Sequence, residues 1–247
     1  MVAVDARSLD DLVAAARDVP QTRGFRAALA GPGLHVIAEI KRRSPSKGAL
    51  NVDLDAADVA RAYEQGGAAC LSVLTDVEFF GGSVDDLQVA RAATALPVLR
   101  KDFTVAPVDV ADARLMCADA VLLIAAALER AELLELHALA VEVGLDVLVE
   151  IHDEPELEVA VAAGATMVGV NQRDLVTFQV DHDRAARMAT VIPDGVVKVA
   201  ESGVRGRDDA ARLADVGYDA ILVGESLVTS GDPTTALQEL RARQRPA

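Results

Sequence analysis

This sequence predicts a single-domain α/β protein, a (β/α)8 TIM barrel over residues 1–247 with a short helical N-terminal extension over residues 1–34. Three observations lead there. Short runs rich in Val, Ile and Leu alternate with Ala-rich helical stretches, and the runs start roughly 20–35 residues apart, the length of a βα unit. The length of 247 residues is what one such barrel needs. Finally, unusual polar residues gather where the strands end and not where they begin, and in this fold the C-terminal strand ends build the active site.

In chain order, Ser8 is a helix N-cap before Leu9-Asp10-Asp11-Leu12, with Asp11 in the capping-box position. Pro20 breaks that helix, a short turn follows around Phe25–Leu29, and Gly31-Pro32-Gly33 stops it. The predicted strands are His35–Lys41, Ala69–Leu74, Pro97–Lys101, Ala120–Ala125, Asp146–Glu150, Met167–Asn171, Val196–Ala200 and Ala220–Gly224. The helices between them close on Gly66-Gly67, Gly144, Gly164 and Gly217, and glycine is the residue that most readily adopts the left-handed helix terminus. A doubly wound open sheet is the alternative architecture, but it would carry a G-x-G-x-x-G turn after the first strand, and none is present.

With 51% hydrophobic but only 3% aromatic residues, the core must be filled by Ala, Val and Leu, which suits parallel strands covered by helices. A net charge of -15 argues against nucleic acid or an anionic membrane as a partner. On that acidic background Lys41, Arg42, Arg43 and Lys47 form a local basic island, suited to a small anion such as phosphate. Cys70 and Cys117 lie in apolar surroundings and read as reduced thiols of a cytoplasmic protein. The N-terminus shows no apolar signal core, and no run approaches membrane-spanning length. His35, His137, His152 and His182 show no ligand spacing, so neither a metal nor a cofactor is expected.

The polar strand ends are Glu39 and Lys41, then Lys101-Asp102, Glu150, Asn171 with Arg173, Glu201-Ser202-Gly203, and Gly224-Glu225-Ser226. Parity places Lys101 with Leu99, Glu150 with Leu148, Asn171 with Gly169, and Ser202 with Lys198 and Ala200, each able to face the barrel mouth. Gly203 and Gly224-Glu225-Ser226 match the barrel phosphate site, in which backbone N–H groups and a short helix hold the anion, and Ser44 with the basic island would close it. Lys101, Glu150, Glu39 and Lys41 put two amines and two carboxylates around a common space. Their interaction can tune one amine as general acid and one carboxylate as proton acceptor, with a Schiff-base lysine as a competing role for Lys101. The expected reaction is acid–base chemistry on a phosphorylated small molecule.

The segments VIAEIKRRSPSKG (36–48), SVLTDVEFFGGS (72–83), PVLRKDF (97–103), ADAVLLIAAAL (118–128), VLVEIHDEPEL (147–157), VGVNQRDL (168–175), VVKVAESGV (196–204) and ILVGESL (221–227) together resemble the indole-3-glycerol phosphate synthases of tryptophan biosynthesis. The resemblance covers the whole barrel in order. It implies a carboxy-lyase that closes the ring of 1-(2-carboxyphenylamino)-1-deoxyribulose 5-phosphate with loss of carbon dioxide and water, working without a cofactor as a monomer or weak homodimer. By that resemblance Lys101 is the general acid and Glu150 its partner acid/base. Lys41 bridges the substrate carboxylate, oriented by Glu39, with Asn171 and Ser202 completing the catalytic set. Arg173 holds the anthranilate end with Asn171, Phe80 and Phe103 line its ring, and Ser44, Gly203, Gly224 and Ser226 form the phosphate cradle. The chain departs from the family in a shorter preface, in Thr104–Asp109 where a Tyr-Gln pair is common, and in Cys117 where a glycine is usual. Two other readings are a related isomerase, which would need a cysteine on the first strand, and an idle paralogue that binds a sugar phosphate.

Overall fold

A computed structural model describes residues 7–174 and 177–241. The ends of the predicted preface and of the chain, and Leu175 at the close of the sixth motif, lie outside the described residues. Eight parallel strands form a closed ring: β1 (His35–Ile40), β2 (Cys70–Leu74), β3 (Val98–Lys101), β4 (Ala120–Ile124), β5 (Asp146–Ile151), β6 (Met167–Asn171), β7 (Val197–Glu201) and β8 (Ala220–Val223). Each strand pairs with its sequence neighbours, and β1 closes the ring by pairing β2 on one side and β8 on the other, with His35 opposite Ala220. An open sheet would leave β1 or β8 with an edge, so the barrel is the fold. The predicted strands are recovered to within a residue at each end.

The preface supplies α1 (Leu9–Asp18) and α2 (Phe25–Ala28). The covering helices are α3 (Ala56–Gly66), α4 (Val84–Ala93), α5 (Pro107–Leu115), α6 (Arg130–Glu142), α7 (Glu154–Ala162), α8 (His182–Ala189), α9 (Arg207–Asp215), the short α10 (Glu225–Val228) and α11 (Pro233–Arg241). Ser8 caps α1, accepting from the Asp11 amide at 3.4 Å, and Asp55 caps α3, accepting from that of Asp58 at 2.9 Å. Cys117, just past α5, sits at φ +65°, the left-handed conformation that explains why a glycine is usual there.

The core has two layers. Between the strands and the helices lie side chains such as Val36, Ala38, Leu71, Val121 and Val149. Inside the ring stack Ile37, Leu99, Leu122, Leu148, Met167 and Val199, and Phe25 and Leu29 of the preface plug the N-terminal end beneath them. The inner phase therefore runs Ile37–Glu39, Leu99–Lys101, Leu148–Glu150, Gly169–Asn171 and Val197–Val199–Glu201. On β7 this corrects the expected parity. Lys198 points outward, donating from Nζ to the Ala189 carbonyl at 2.8 Å, and Ala200 packs in the outer layer. Glu201, not Ser202, is the inward residue.

A second correction concerns the opposite rim, where the sequence suggested no polar clustering. Asp119, Asp146 and Asp219 stand at or just before the starts of β4, β5 and β8, and each accepts a backbone N–H: from Val98 at 2.8 Å and Arg23 at 2.8 Å, from Arg26 at 2.9 Å, and from Lys198 at 2.8 Å respectively. The Arg91 guanidinium adds a 3.0 Å bond to the buried Asp119.

Candidate active site

At the C-terminal end of the ring a cavity of about 1310 Å³ opens, and the acid–base, ring-binding and phosphate-cradle residues expected from the sequence line it: Glu39, Lys41 and Ser44 from β1 and its loop, Phe80 after β2, Lys101 and Phe103 at β3, Glu150 at β5, Asn171 and Arg173 at β6, Ser202 and Gly203 after β7, and Gly224 and Ser226 after β8. Convergence from seven of the eight loops follows from the closed ring, because each strand releases its last inward residue into the same mouth.

At the centre is the Lys101 ammonium. It lies 3.5 Å from Glu150 Oε2 and 3.6 Å from Glu201 Oε2, distances that attract without a tight hydrogen bond. Burial alone would lower its pKa, yet Glu150, Glu201 and Glu39 outweigh that and hold it above the ordinary lysine value. An amine held charged is a proton donor and a poor nucleophile, which disfavours the Schiff-base role. Glu39 is 5% exposed and bonds Lys41 Nζ at 2.6 Å. Burial would raise its pKa, but Lys41 and Lys101 together hold it below the usual range. Glu201 is pushed up to about 8, by burial first and by Glu150 and Glu39 next, against the pull of Lys101. Three carboxylates thus face two amines, and burial beside Glu150 and Glu39 keeps the proton on Glu201.

Glu201 stood in the sequence only as a polar strand end beside Ser202, outside the acid–base set, and glycine spacing carried the missing signal. A Cβ on Gly169 would stand 2.0 Å from Glu201 Oε1, so β6 keeps a glycine where Glu201 crosses it. Gly224 serves the neighbouring pair in the same way, since its Cβ would meet Glu39 Oε1 at 2.3 Å and Lys41 Nζ at 3.0 Å. Asn171 donates to Glu150 Oε1 at 2.9 Å and accepts from the Arg173 backbone at 3.0 Å, so it links the carboxylate to the loop after β6.

On the other flank, Ser202 and Gly203 both take positive φ, +65° and +76°, and Ser226 at the start of α10 donates to the Val204 carbonyl at 3.2 Å. Ser44 reaches Ser46 at 3.5 Å on the loop above them, and Lys47 bridges to Glu225 at 3.7 Å. The rest of the basic island is not part of the cavity. Arg42 binds Asp86 at 2.5 and 2.9 Å, and Arg43 donates to the carbonyls of Val77, at 2.7 Å, and Glu78. Both tie the β1 loop, with its small hairpin Arg43–Ser44/Gly48–Ala49, to the loop after β2. The remaining wall is aromatic. Of five phenylalanines in the chain, Phe79, Phe80, Phe103 and Phe178 line the mouth, enough apolar surface to hold a planar ring.

Comparison with known proteins identifies the family and the fold. The family model "Indole-3-glycerol phosphate synthase" matches residues 2–240. Curated relatives carrying that name include one from Nocardioides sp., 53% identical over 239 residues covering 95% of this chain and 90% of the relative. Another, from Mycobacteroides abscessus, is 50% identical over 227 residues covering 92% and 84%. Among solved structures, thiamine phosphate pyrophosphorylase from Pyrococcus furiosus aligns at a TM-score of 0.64 with 18% identity, covering 85% of this chain and 94% of that one. The 3-hexulose-6-phosphate synthase from Salmonella typhimurium aligns at 0.66 with 13% identity, covering 85% and 97%. At such identities these two attest the fold alone.

Proposed function

The chain belongs to the indole-3-glycerol phosphate synthase family, and on that premise we propose how its residues carry out the decarboxylating, dehydrating ring closure of 1-(2-carboxyphenylamino)-1-deoxyribulose 5-phosphate. The observation that carries the proposal is the buried Lys101 ammonium held between Glu150 and Glu201 at 3.5 and 3.6 Å.

The substrate is anionic at both ends, with a carboxylate on the aromatic ring and a phosphate on the sugar. The phosphate binds among Ser44, Gly203, Gly224 and Ser226, which line one flank of the cavity beside the short α10. The ring lies against Phe80 and Phe103, with its carboxylate toward Lys41, Asn171 and Arg173. Lys101 then gives its proton to the ribulose carbonyl oxygen as the aromatic carbon attacks the carbonyl carbon, which turns the anilino nitrogen into an iminium. Carbon dioxide leaves, and its bonding electrons neutralise the iminium. The new hydroxyl takes a proton and departs as water while the CH2 beside the nitrogen gives up a proton to form the ring double bond, with Glu150 as the acid/base of that step and Ser202 beside the reacting chain. Glu201, protonated at neutral pH, stands where it can return a proton to Lys101.

The competing isomerase needs a thiol at the mouth. Cys70 is instead buried at the start of β2 with Sγ 3.6 Å from the Phe25 carbonyl, Cys117 lies before β4, and neither lines the cavity. The same proposal makes the enzyme cytoplasmic, supported by its two free cysteines, and a monomer or weak homodimer that avoids nucleic acid, supported by its net charge of -15. Among the described residues no helix is long and apolar enough to cross a membrane. The test is to supply purified protein with the ribulose phosphate substrate and follow indole fluorescence without added metal or nucleotide. Product formation is expected; none over hours at high enzyme concentration would leave a sugar-phosphate binder in its place.

A further inference from the structure

Gln172 follows the last residue of β6, between Asn171 and Arg173, yet it does not line the cavity and is 2% exposed. A buried amide is unfavourable unless its hydrogen bonds are made, and here they are made to one place. Its backbone N–H donates to the Glu201 carbonyl at 3.0 Å, and its side-chain Nε2 donates to the Ser202 carbonyl at 2.7 Å. Its own carbonyl accepts from Asp181 at 2.8 Å, which folds the segment after β6 back underneath.

The carbonyl that Nε2 holds belongs to a constrained turn. Ser202 and Gly203 are successive left-handed residues, and for a non-glycine residue such as Ser202 that conformation is strained by about 1 kcal/mol. It persists only where the surroundings enforce it. In a trans peptide the C=O and the following N–H point in opposite directions. With the Ser202 carbonyl tied to Gln172, the Gly203 N–H is directed away from Gln172, on a residue that lines the cavity. That N–H has no protein partner among the described residues. Gly203 also has no room to shift toward the β6 segment, because a Cβ there would meet Val180 Cγ1 at 2.7 Å and His182 Cε1 at 3.1 Å.

We propose that Gln172 is a positioning residue for phosphate recognition: its side-chain amide holds the Ser202–Gly203 turn so that the Gly203 N–H is presented to the phosphate of the substrate. The proposal rests on the placement of the phosphate given above. Gln172 touches no substrate atom. Without its donor the Ser202 carbonyl is free to rotate and the Gly203 N–H leaves the cradle, while Lys101 and Glu150, set on β3 and β5, stay where they are.

The test uses the intact enzyme and inorganic phosphate as a competitive inhibitor. Gln172→Met keeps the shape and removes the donor. It is expected to raise KM and the phosphate inhibition constant together, roughly tenfold, as for one lost hydrogen bond. The kcat is expected to stay within about twofold, and the inhibition constant for anthranilate, which bypasses the cradle, to stay unchanged. Gln172→Glu sets an acceptor against the Ser202 carbonyl and should weaken phosphate binding further. An unchanged phosphate constant in either variant, or a fall in kcat at constant KM, overturns the proposal. Calorimetric titration of phosphate into each protein reads the same comparison without turnover. It therefore separates failure of this inference from failure of the catalytic reading, which would show as a wild-type protein that forms no indole product.

Discussion

At the N-terminal rim of the barrel the carboxylates face backbone amides; at the C-terminal rim they face amines. Asp119 holds two backbone N–H groups and the Arg91 guanidinium at 2.8 to 3.0 Å, and Asp146 and Asp219 each hold one N–H. The backbone donors are fixed by the fold, Asp119 is fully buried, and Phe25 and Leu29 pack across this end of the ring. At the other rim Lys101 is 3.5 Å or more from both of its carboxylates, and Glu201 Oε1 is buried with no hydrogen-bond partner among the described residues. The same residue types serve stability at one end and keep unspent bonding capacity for a substrate at the other. A fixed backbone donor makes a carboxylate structural, whereas an ammonium at the end of a side chain, too far for a tight bond, leaves it reactive.

Substitutions at the two rims should therefore separate activity from stability. The largest effect is expected for Lys101→Ala, a loss of roughly three to four orders of magnitude in turnover, the scale of a general acid, with substrate binding retained in titration. Turnover near that of the wild type would remove Lys101 from the acid's role. At the opposite rim, Asp119→Asn replaces an acceptor of three donors with a group that must present its own N–H to one of them. A stability loss of about 3 kcal/mol is expected in urea unfolding, with kcat within about twofold. A large loss of kcat in a protein that remains folded would contradict the division between the rims. The smallest effect is expected from Cys117→Gly, which relieves the left-handed strain after α5 and should raise stability by about 0.5–1 kcal/mol. A loss would mean that packing of the thiol outweighs the backbone.

The barrel was legible because four of the helices close on glycines, at Gly66-Gly67, Gly144, Gly164 and Gly217, and each strand is a compact apolar run, so the eight strand boundaries could be placed to within a residue. The catalytic face was legible where a charged residue follows an inward Leu or Ile two positions before, as Lys101 follows Leu99 and Glu150 follows Leu148. It failed on β7, where Val196-Val197-Lys198 offers two valines in succession and no alternation to set the phase. Lys198 reads as an inward charge until its amine is seen on the Ala189 carbonyl. The N-terminal aspartates were invisible for a different reason. Each is a single residue whose partner is distant in the chain, 96 residues away for Asp119 and Arg23, and no local pattern encodes that pairing. Arg42 and Arg43 read as anion ligands because the sequence cannot show that Asp86 and the carbonyls of Val77 and Glu78 already hold them.

Glu201 tests the contrast between the rims most directly. Its folded-state pKa is raised to about 8, so the proton it binds favours the folded state fully below the ordinary carboxylate range. That contribution is lost as pH rises through about 8, where folding must bury the Glu201 charge. Glu201→Gln carries no such charge. The decisive measurement is the melting temperature of wild type and Glu201→Gln from pH 5 to 9, alongside turnover. The account predicts a variant that melts progressively higher than wild type as pH rises toward 9 while turning over far more slowly. A variant that melts below wild type at every pH, or a gap that does not change with pH, would make Glu201 a structural carboxylate like Asp119 and contradict the account.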